Sequence, residues 1–302
     1  MKKINKKRQL RELENNLNFF TSGTTKKIHL LNIGVIVNII SFLLKIFLLK
    51  KTAYKNAISL KVKKLKFNSI NLPESFKGYK ILFISDLHID IIPEMKNILL
   101  ELINKEHYDL CCIGGDYKFR NIGTPFIAQN FIKELFSEIN KKSDIISILG
   151  NHDEYEFAQF LDNIGVKVLI NETIEITKDN ESILISGIDD AGYYGAHDFD
   201  ETLKGINHTN SSFNILLSHT PDVYKEAESL GFNIFLTGHT HGGQICLPGR
   251  IPVLTETNAP RKMVYGQWKY NNMIGYTTSG LGCSGIPARF FCPPEINIIT
   301  LE

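Results

Sequence analysis

Two histidines one residue apart, His239 and His241, follow an apolar run in Leu236-Thr237-Gly238-His239-Thr240-His241-Gly242-Gly243-Gln244. Phe232 to Leu236 reads as a buried strand, and the glycines let the chain turn sharply behind it. In extended chain alternate residues point the same way, and an abrupt turn can still aim two imidazoles at neighbouring points. Imidazoles so placed can ligate a metal or carry protons. Alone, the pair would also suit a solvated loop. Four further clusters of the same character change the balance: Asp86-Leu87-His88, Gly114-Gly115-Asp116, Gly150-Asn151-His152-Asp153 and Ser218-His219.

Each cluster closes an apolar run. Lys80–Ser85, Asp109–Ile113, Asp144–Leu149 and Phe213–Leu217 have the composition of buried strands. Helical spacing recurs over residues 94–105, from Ile127 to Ile139, and near 155–163 and 222–230. This alternation predicts an α/β core with largely parallel pairing. Ligands of such sheets gather beyond the carboxyl ends of the strands. Lys61–Lys66 reads as an exposed strand. Val166–Ile170, Thr173–Thr177 and Ser182–Ile188 read as hairpins or a meander. Residues 189–208 read as a polar loop or insertion, and strands near 263–278 and over Ile296–Leu301 finish the chain.

Several unpaired carboxylates and imidazoles at one edge are unfavourable without a counter-charge. Divalent metal supplies it. Asp86, His88, Asp116, Asn151, His219, His239 and His241 exceed what one tetrahedral ion takes. Two ions sharing a carboxylate fit better, and a donor set without thiolate suits Mn, Fe or Zn. Two metals about 3.5–4 Å apart are a device for in-line displacement at phosphorus.

Asp-x-His (86, 88), Gly-Asp (115, 116), Gly-Asn-His-Asp (150–153), His219 and Gly-His-x-His (238–241), in this order, resemble the calcineurin-like metallophosphoesterases. The likeness runs from about Lys80 to the C-terminus. It implies a four-layer α-β-β-α sandwich. It implies one ion on Asp86, His88, Asp116 and His241, and another on Asp116, Asn151, His219 and His239. It implies that His152 contacts the substrate phosphate or protonates the leaving oxygen, with Asp153 orienting it. Gly-Asp-Tyr-Lys-Phe-Arg (115–120) lacks the Val-Asp-Arg-Gly run of the serine/threonine protein phosphatases. His241–Gly249 and Phe291–Ile296 look like the bacterial membrane-associated branch, which includes enzymes cleaving the pyrophosphate of UDP-2,3-diacylglucosamine. The expected reaction is therefore hydrolysis of a phosphodiester or pyrophosphate, with a lipid-linked substrate. The alternatives are a tethered phosphatase or nucleotide phosphodiesterase with a soluble substrate, and a non-catalytic scaffold on the same fold. No candidate ligand is missing, which weighs against the scaffold. Arg120, Arg250, Arg261 and Arg289 are candidates for gripping phosphate, with Arg120 and Arg261 foremost, since arginine offers bidentate geometry.

The 302 residues carry a net charge of only +2. Residues 1–80 nevertheless hold 18 Lys/Arg against 3 Asp/Glu, and residues 81–302 hold 16 against 29. An acidic body suits metal ions, and a basic N-terminus suits an anionic membrane surface. It lacks the aromatic platforms of single-strand binders, so nucleic acid is not the expected partner. Ile28 to Leu49 is mostly Leu, Ile, Val and Phe, long enough to span a bilayer but interrupted by Lys45. A membrane-associating helix held at the interface is expected, with a spanning anchor and a helix packed on the catalytic domain as alternatives. The division is thus residues 1–60, basic and membrane-associating, and 61–302, catalytic. A bacterial inner-membrane location is expected, with the catalytic domain on the cytoplasmic face. The 5 cysteines, odd in number and without a CxxC pair, read as thiols or buried apolar residues.

Overall fold

The computed structural model describes residues 6–20, 38–39, 42, 44–119, 125–204 and 213–302. Two six-stranded sheets carry the fold. In the first, β1 (Lys61–Phe67), β14 (Glu295–Leu301), β2 (Lys80–Ile84), β3 (Leu110–Ile113), β4 (Asp144–Ser147) and β5 (Lys167–Val168) lie side by side in that order. The second has β12 (Gly266–Tyr270), β13 (Met273–Thr277), β9 (Ile234–Thr237), β8 (Asn214–Ser218), β7 (Glu181–Gly187) and β6 (Glu172–Lys178). The strands that precede the polar clusters pair in parallel, β2 with β3 and β3 with β4 in one sheet, β8 with β9 in the other. Their carboxyl ends therefore emerge together within each sheet.

Parallel strands covered on both faces read as continuous apolar runs, and β2 is such a run. Alternate residues of it serve different cores. Ile81 and Phe83 join Ile185, Ile215 and Leu236 between the sheets. Leu82 and Ile84 face the other way, toward Leu99, Leu135 and Leu161. Those three belong to α3 (Met95–Lys105), α4 (Pro125–Asn140) and α5 (Tyr155–Asn163). On the far side of the second sheet, Leu216, Phe235 and Trp268 pack with Phe199, Tyr224 and Phe232. The layers run helices, sheet, sheet, short helices.

Two N-terminal helices lie against this body, α1 (Lys6–Phe20) and α2 (Lys50–Ala57). Ala53 and Ala57 of α2 are buried, and Asn56 Nδ2 donates to the Arg289 carbonyl at 3.0 Å. The expected apolar N-terminal helix is not found among the described residues, none of whose helices is long and apolar enough to cross a membrane. Residues 28–37, 40, 41 and 43 of the apolar run lie outside the described residues; at its end Ile46, Phe47 and Leu48 are exposed. The segment 189–208 is not all loop. Asp198 accepts from Glu201 N at 3.0 Å and caps α6 (Phe199–Thr202), a local start signal that outweighs the segment's polarity. Residues 205–208 lie outside the described residues.

Candidate metal centre

The loops after β2, β3, β4, β8 and β9 carry all seven candidate ligands, and the backbone there is strained. Asp86, His88, Asp116, His239 and His241 have φ of 53°, 37°, 57°, 67° and 50°. Non-glycine residues seldom adopt this left-handed region, and such strain concentrates at functional sites. Bonds between the loops hold it. Asp86 N donates to Gly115 O at 3.0 Å, His88 N to Asp116 O at 3.1 Å, and His239 N to Asp86 Oδ1 at 3.0 Å. Gly238 permits the last approach, because a Cβ there would stand 2.3 Å from Asp86 Oδ2.

The donors converge. His88 Nε2 lies 3.2 Å from His241 Nε2 and 3.5 Å from Asp116 Oδ2, and His241 Nε2 is 3.6 Å from Asp86 Oδ1. His219 Nε2 lies 3.3 Å from Asp116 Oδ2 and 3.0 Å from Asn151 Oδ1. Asn151 Oδ1 is also 3.0 Å from His239 Nδ1. Two groups with metal-ligand spacing result: Asp86, His88 and His241; and Asp86, Asp116 and His219. His219 Nδ1 contacts the Gly114 carbonyl at 2.8 Å, which fixes the proton on that nitrogen and turns Nε2 to the cluster.

Electrostatics explains what such a cluster lacks. Burial holds the His88 imidazole down at about 4, and burial together with His88 holds His241 well below the usual histidine range. Burial also raises the Asp86 carboxyl. Burial alone would raise Asp116, yet His219, His152 and His88 keep it well below the usual carboxylate range. His219 resists the effect of burial because Asp116 and Asp86 push it up to about 10. Neutral imidazoles and a buried carboxylate pair fit divalent cations, which supply the missing charge and displace the His219 proton.

His152 and Asp153 sit in the same loop but do not touch as expected. The Asp153 carboxylate accepts from Gly150 N at 2.8 Å, Asp116 N at 2.7 Å and Tyr117 N at 2.9 Å. It organises backbone. His152 Nδ1 instead meets the Phe119 carbonyl at 2.8 Å, so that carbonyl, rather than Asp153, sets the ring. Its ring centroid lies 5.2 Å from that of His88, at the edge of the cluster.

The arginines divide. Arg289 is fully buried and donates to the carbonyls of His241, Cys292, Ser279, Gly280 and Gly282, so it braces the site from behind and cannot reach a substrate. Its expected phosphate contact is corrected accordingly. Arg250 lies over the Tyr265 ring at 4.2 Å. Arg261 is exposed at a turn whose next residues lead to Val264, whose carbonyl accepts from Thr240 Oγ1 at 2.7 Å. Arg120 lies outside the described residues. A fully buried arginine that the motifs do not announce is Arg8, on α1. No local pattern marks it within a basic segment.

Comparison with known proteins agrees with this geometry. Residues 79–243 match the family described as calcineurin-like phosphoesterase. The chain is 32% identical to the uncharacterized metallophosphoesterase YkuE of Bacillus subtilis, over 76% of this chain and 82% of that protein. An uncharacterized metallophosphoesterase of Aquifex aeolicus is 28% identical, over 80% and 92%. Phosphodiesterase YaeI of Escherichia coli is 27% identical, over 74% and 82%.

Proposed function

The chain belongs to the calcineurin-like phosphoesterase family, hydrolases of phosphoesters that work with two divalent metal ions, and from that premise we propose that it cleaves a phosphodiester or pyrophosphate of a lipid-linked substrate. In this reading Asp86, His88, Asp116 and His241 hold one ion, and Asp116, Asn151, His219 and His239 the other. The observation that carries it is Asp116 Oδ2, one oxygen within 3.5 Å of both His88 and His219. When bound, such a pair supplies a water of lowered pKa and neutralises phosphoryl charge.

The side chains do the rest. A carbonyl can only accept, so His152 Nδ1 donates to Phe119 O and leaves Nε2 for the substrate. Protonated there, it gives its proton to the leaving oxygen. Arg261, exposed beside the His241 loop, meets a distal phosphate. The name of the Escherichia coli relative supports the diester reading.

The lipid-linked substrate rests on the basic, apolar N-terminal region and on Leu247, Ile251, Val253 and Leu254, all exposed near the hairpin of β10 (Cys246–Leu247) and β11 (Ile251–Pro252) that follows His241. UDP-2,3-diacylglucosamine has the required chemistry, a pyrophosphate joined to acyl chains. It places the catalytic domain on the cytoplasmic face of the inner membrane, with the apolar stretch of residues 1–60 meeting the bilayer and every metal ligand supplied by 61–302.

A screen of metal-reconstituted protein tests the reading. Bis-p-nitrophenyl phosphate and UDP-2,3-diacylglucosamine should be hydrolysed. Activity confined to p-nitrophenyl phosphate would point to a phosphatase with a soluble substrate, and no activity on any substrate would point to the scaffold.

A further inference from the structure

Arg8 sits on an N-terminal helix, but the groups it meets beyond that helix lie in the Gly150–Asp153 loop and in the segment after β7. The side chain is fully buried. Nη2 donates to the Gly150 carbonyl at 2.9 Å and to the Asp153 carbonyl, the two ends of the Gly-Asn-His-Asp loop. Nη1 donates to Asp189, just past β7. Nε donates to Glu12 on the same helix at 2.9 Å, and Glu12 Oε1 accepts from Tyr155 N at 3.0 Å, where α5 begins. The guanidinium carbon stands 4.3 Å over the Tyr194 ring.

One planar cation thus ties together a helix, the loop 150–153, the start of α5 and the segment 189–194. The loop it grips carries Asn151, whose Oδ1 contacts both His219 and His239, and His152, whose N donates to Asp116 Oδ1 at 2.9 Å. From inside, the Asp153 carboxylate closes that loop on three backbone amides. From outside, its two end carbonyls have Arg8. Lysine could meet the Asp189 charge but has no rigid fork to reach two carbonyls as well.

We propose that Arg8 is a positioning residue for the reaction: α1 is a strap that pins the Gly150–Asp153 loop, and turnover depends on the strap being docked. The inference rests on the phosphoesterase reading. The strap precedes the apolar run in the chain. The sequence runs from α1 through residues 28–49 to α2, which packs on the Arg289 segment.

The test compares full-length wild type with Arg8→Ala, Arg8→Lys and Glu12→Gln, on bis-p-nitrophenyl phosphate with Mn. Arg8→Ala should lower kcat about tenfold to a hundredfold, as a small misplacement of reacting groups does, with KM nearly unchanged. Arg8→Lys should recover part of the loss. Amide exchange at residues 150–155 should quicken in Arg8→Ala, while β2 and β3 stay protected. A folded Arg8→Ala with wild-type kcat overturns the proposal. So does a loss of activity matched by an equal loss of folded protein. If Arg8→Ala does not fold, wild-type kcat in both Arg8→Lys and Glu12→Gln overturns it. A wild type without hydrolysis contradicts the phosphoesterase reading instead, which keeps the two failures apart.

Discussion

Arg289 and Arg8 stand behind opposite halves of the candidate centre, and both are fully buried. Arg289 donates to five carbonyls, among them those of His241 and Gly280, and so backs the half that carries Asp86, His88 and His241. It belongs to the connection between β13 and β14, and four of its five side-chain acceptors, Ser279, Gly280, Gly282 and Cys292, lie in that same connection. Arg8 backs the Asn151 half and comes from a helix 142 residues away from Gly150 in sequence. The halves share chemistry and differ in anchorage. One is braced by the core itself and the other by a strap. Core bracing ties the geometry of that half to global stability. A strap lets the other half loosen while the core stays folded.

The largest effect that would break this picture is loss of Asp116, the residue proposed to join the halves. Asp116→Asn should reduce hydrolysis of bis-p-nitrophenyl phosphate to background and remove at least one metal ion per chain, read by elemental analysis. Retained activity with unchanged metal content would dissolve the division into two joined halves. His152→Ala comes next. It should keep its metal and lower kcat by roughly 10²–10⁴, with partial recovery on a substrate with an activated leaving group. Equal loss on good and poor leaving groups would move His152 from proton donor to phosphate positioning.

The two arginines sharpen the comparison directly. Arg289→Ala should cost at least about 1–3 kcal/mol in a urea melt, because buried carbonyls are left without their donor. Arg8→Ala should show its effect in kcat more than in the melting midpoint. Similar stability losses with similar kinetics would erase the distinction between brace and strap. The smallest effect belongs to Arg261→Ala, an exposed side chain. KM for a pyrophosphate substrate should rise several-fold with kcat unchanged, and an unchanged KM would remove it from the substrate site.

What could be read in the sequence follows the same division. Asp86, Asp116, Asn151, His219 and His239 were legible because each follows an apolar run, and residue type with strand-end position is local information. The strands themselves were legible for the same reason, as the unbroken run Ile81–Ile84 shows. The resemblance gives Asp153 the task of orienting His152, whereas the turn aims its carboxylate at backbone amides. Arg289 stands among the four arginine candidates because arginine near a catalytic motif looks the same whether it faces solvent or carbonyls. Arg8 leaves no trace of its role, since Gly150, Asp153 and Asp189 are separated from it by 142 to 181 residues and no spacing encodes them.

The central claim is that Asp116 joins two metal ions into one centre. Low-temperature electron paramagnetic resonance of the Mn-loaded wild type tests it most directly. The account predicts two Mn ions per chain with an exchange-coupled signal, replaced in Asp116→Asn by the signal of isolated Mn. A wild type that binds a single ion, or two ions with no coupling between them, would contradict it.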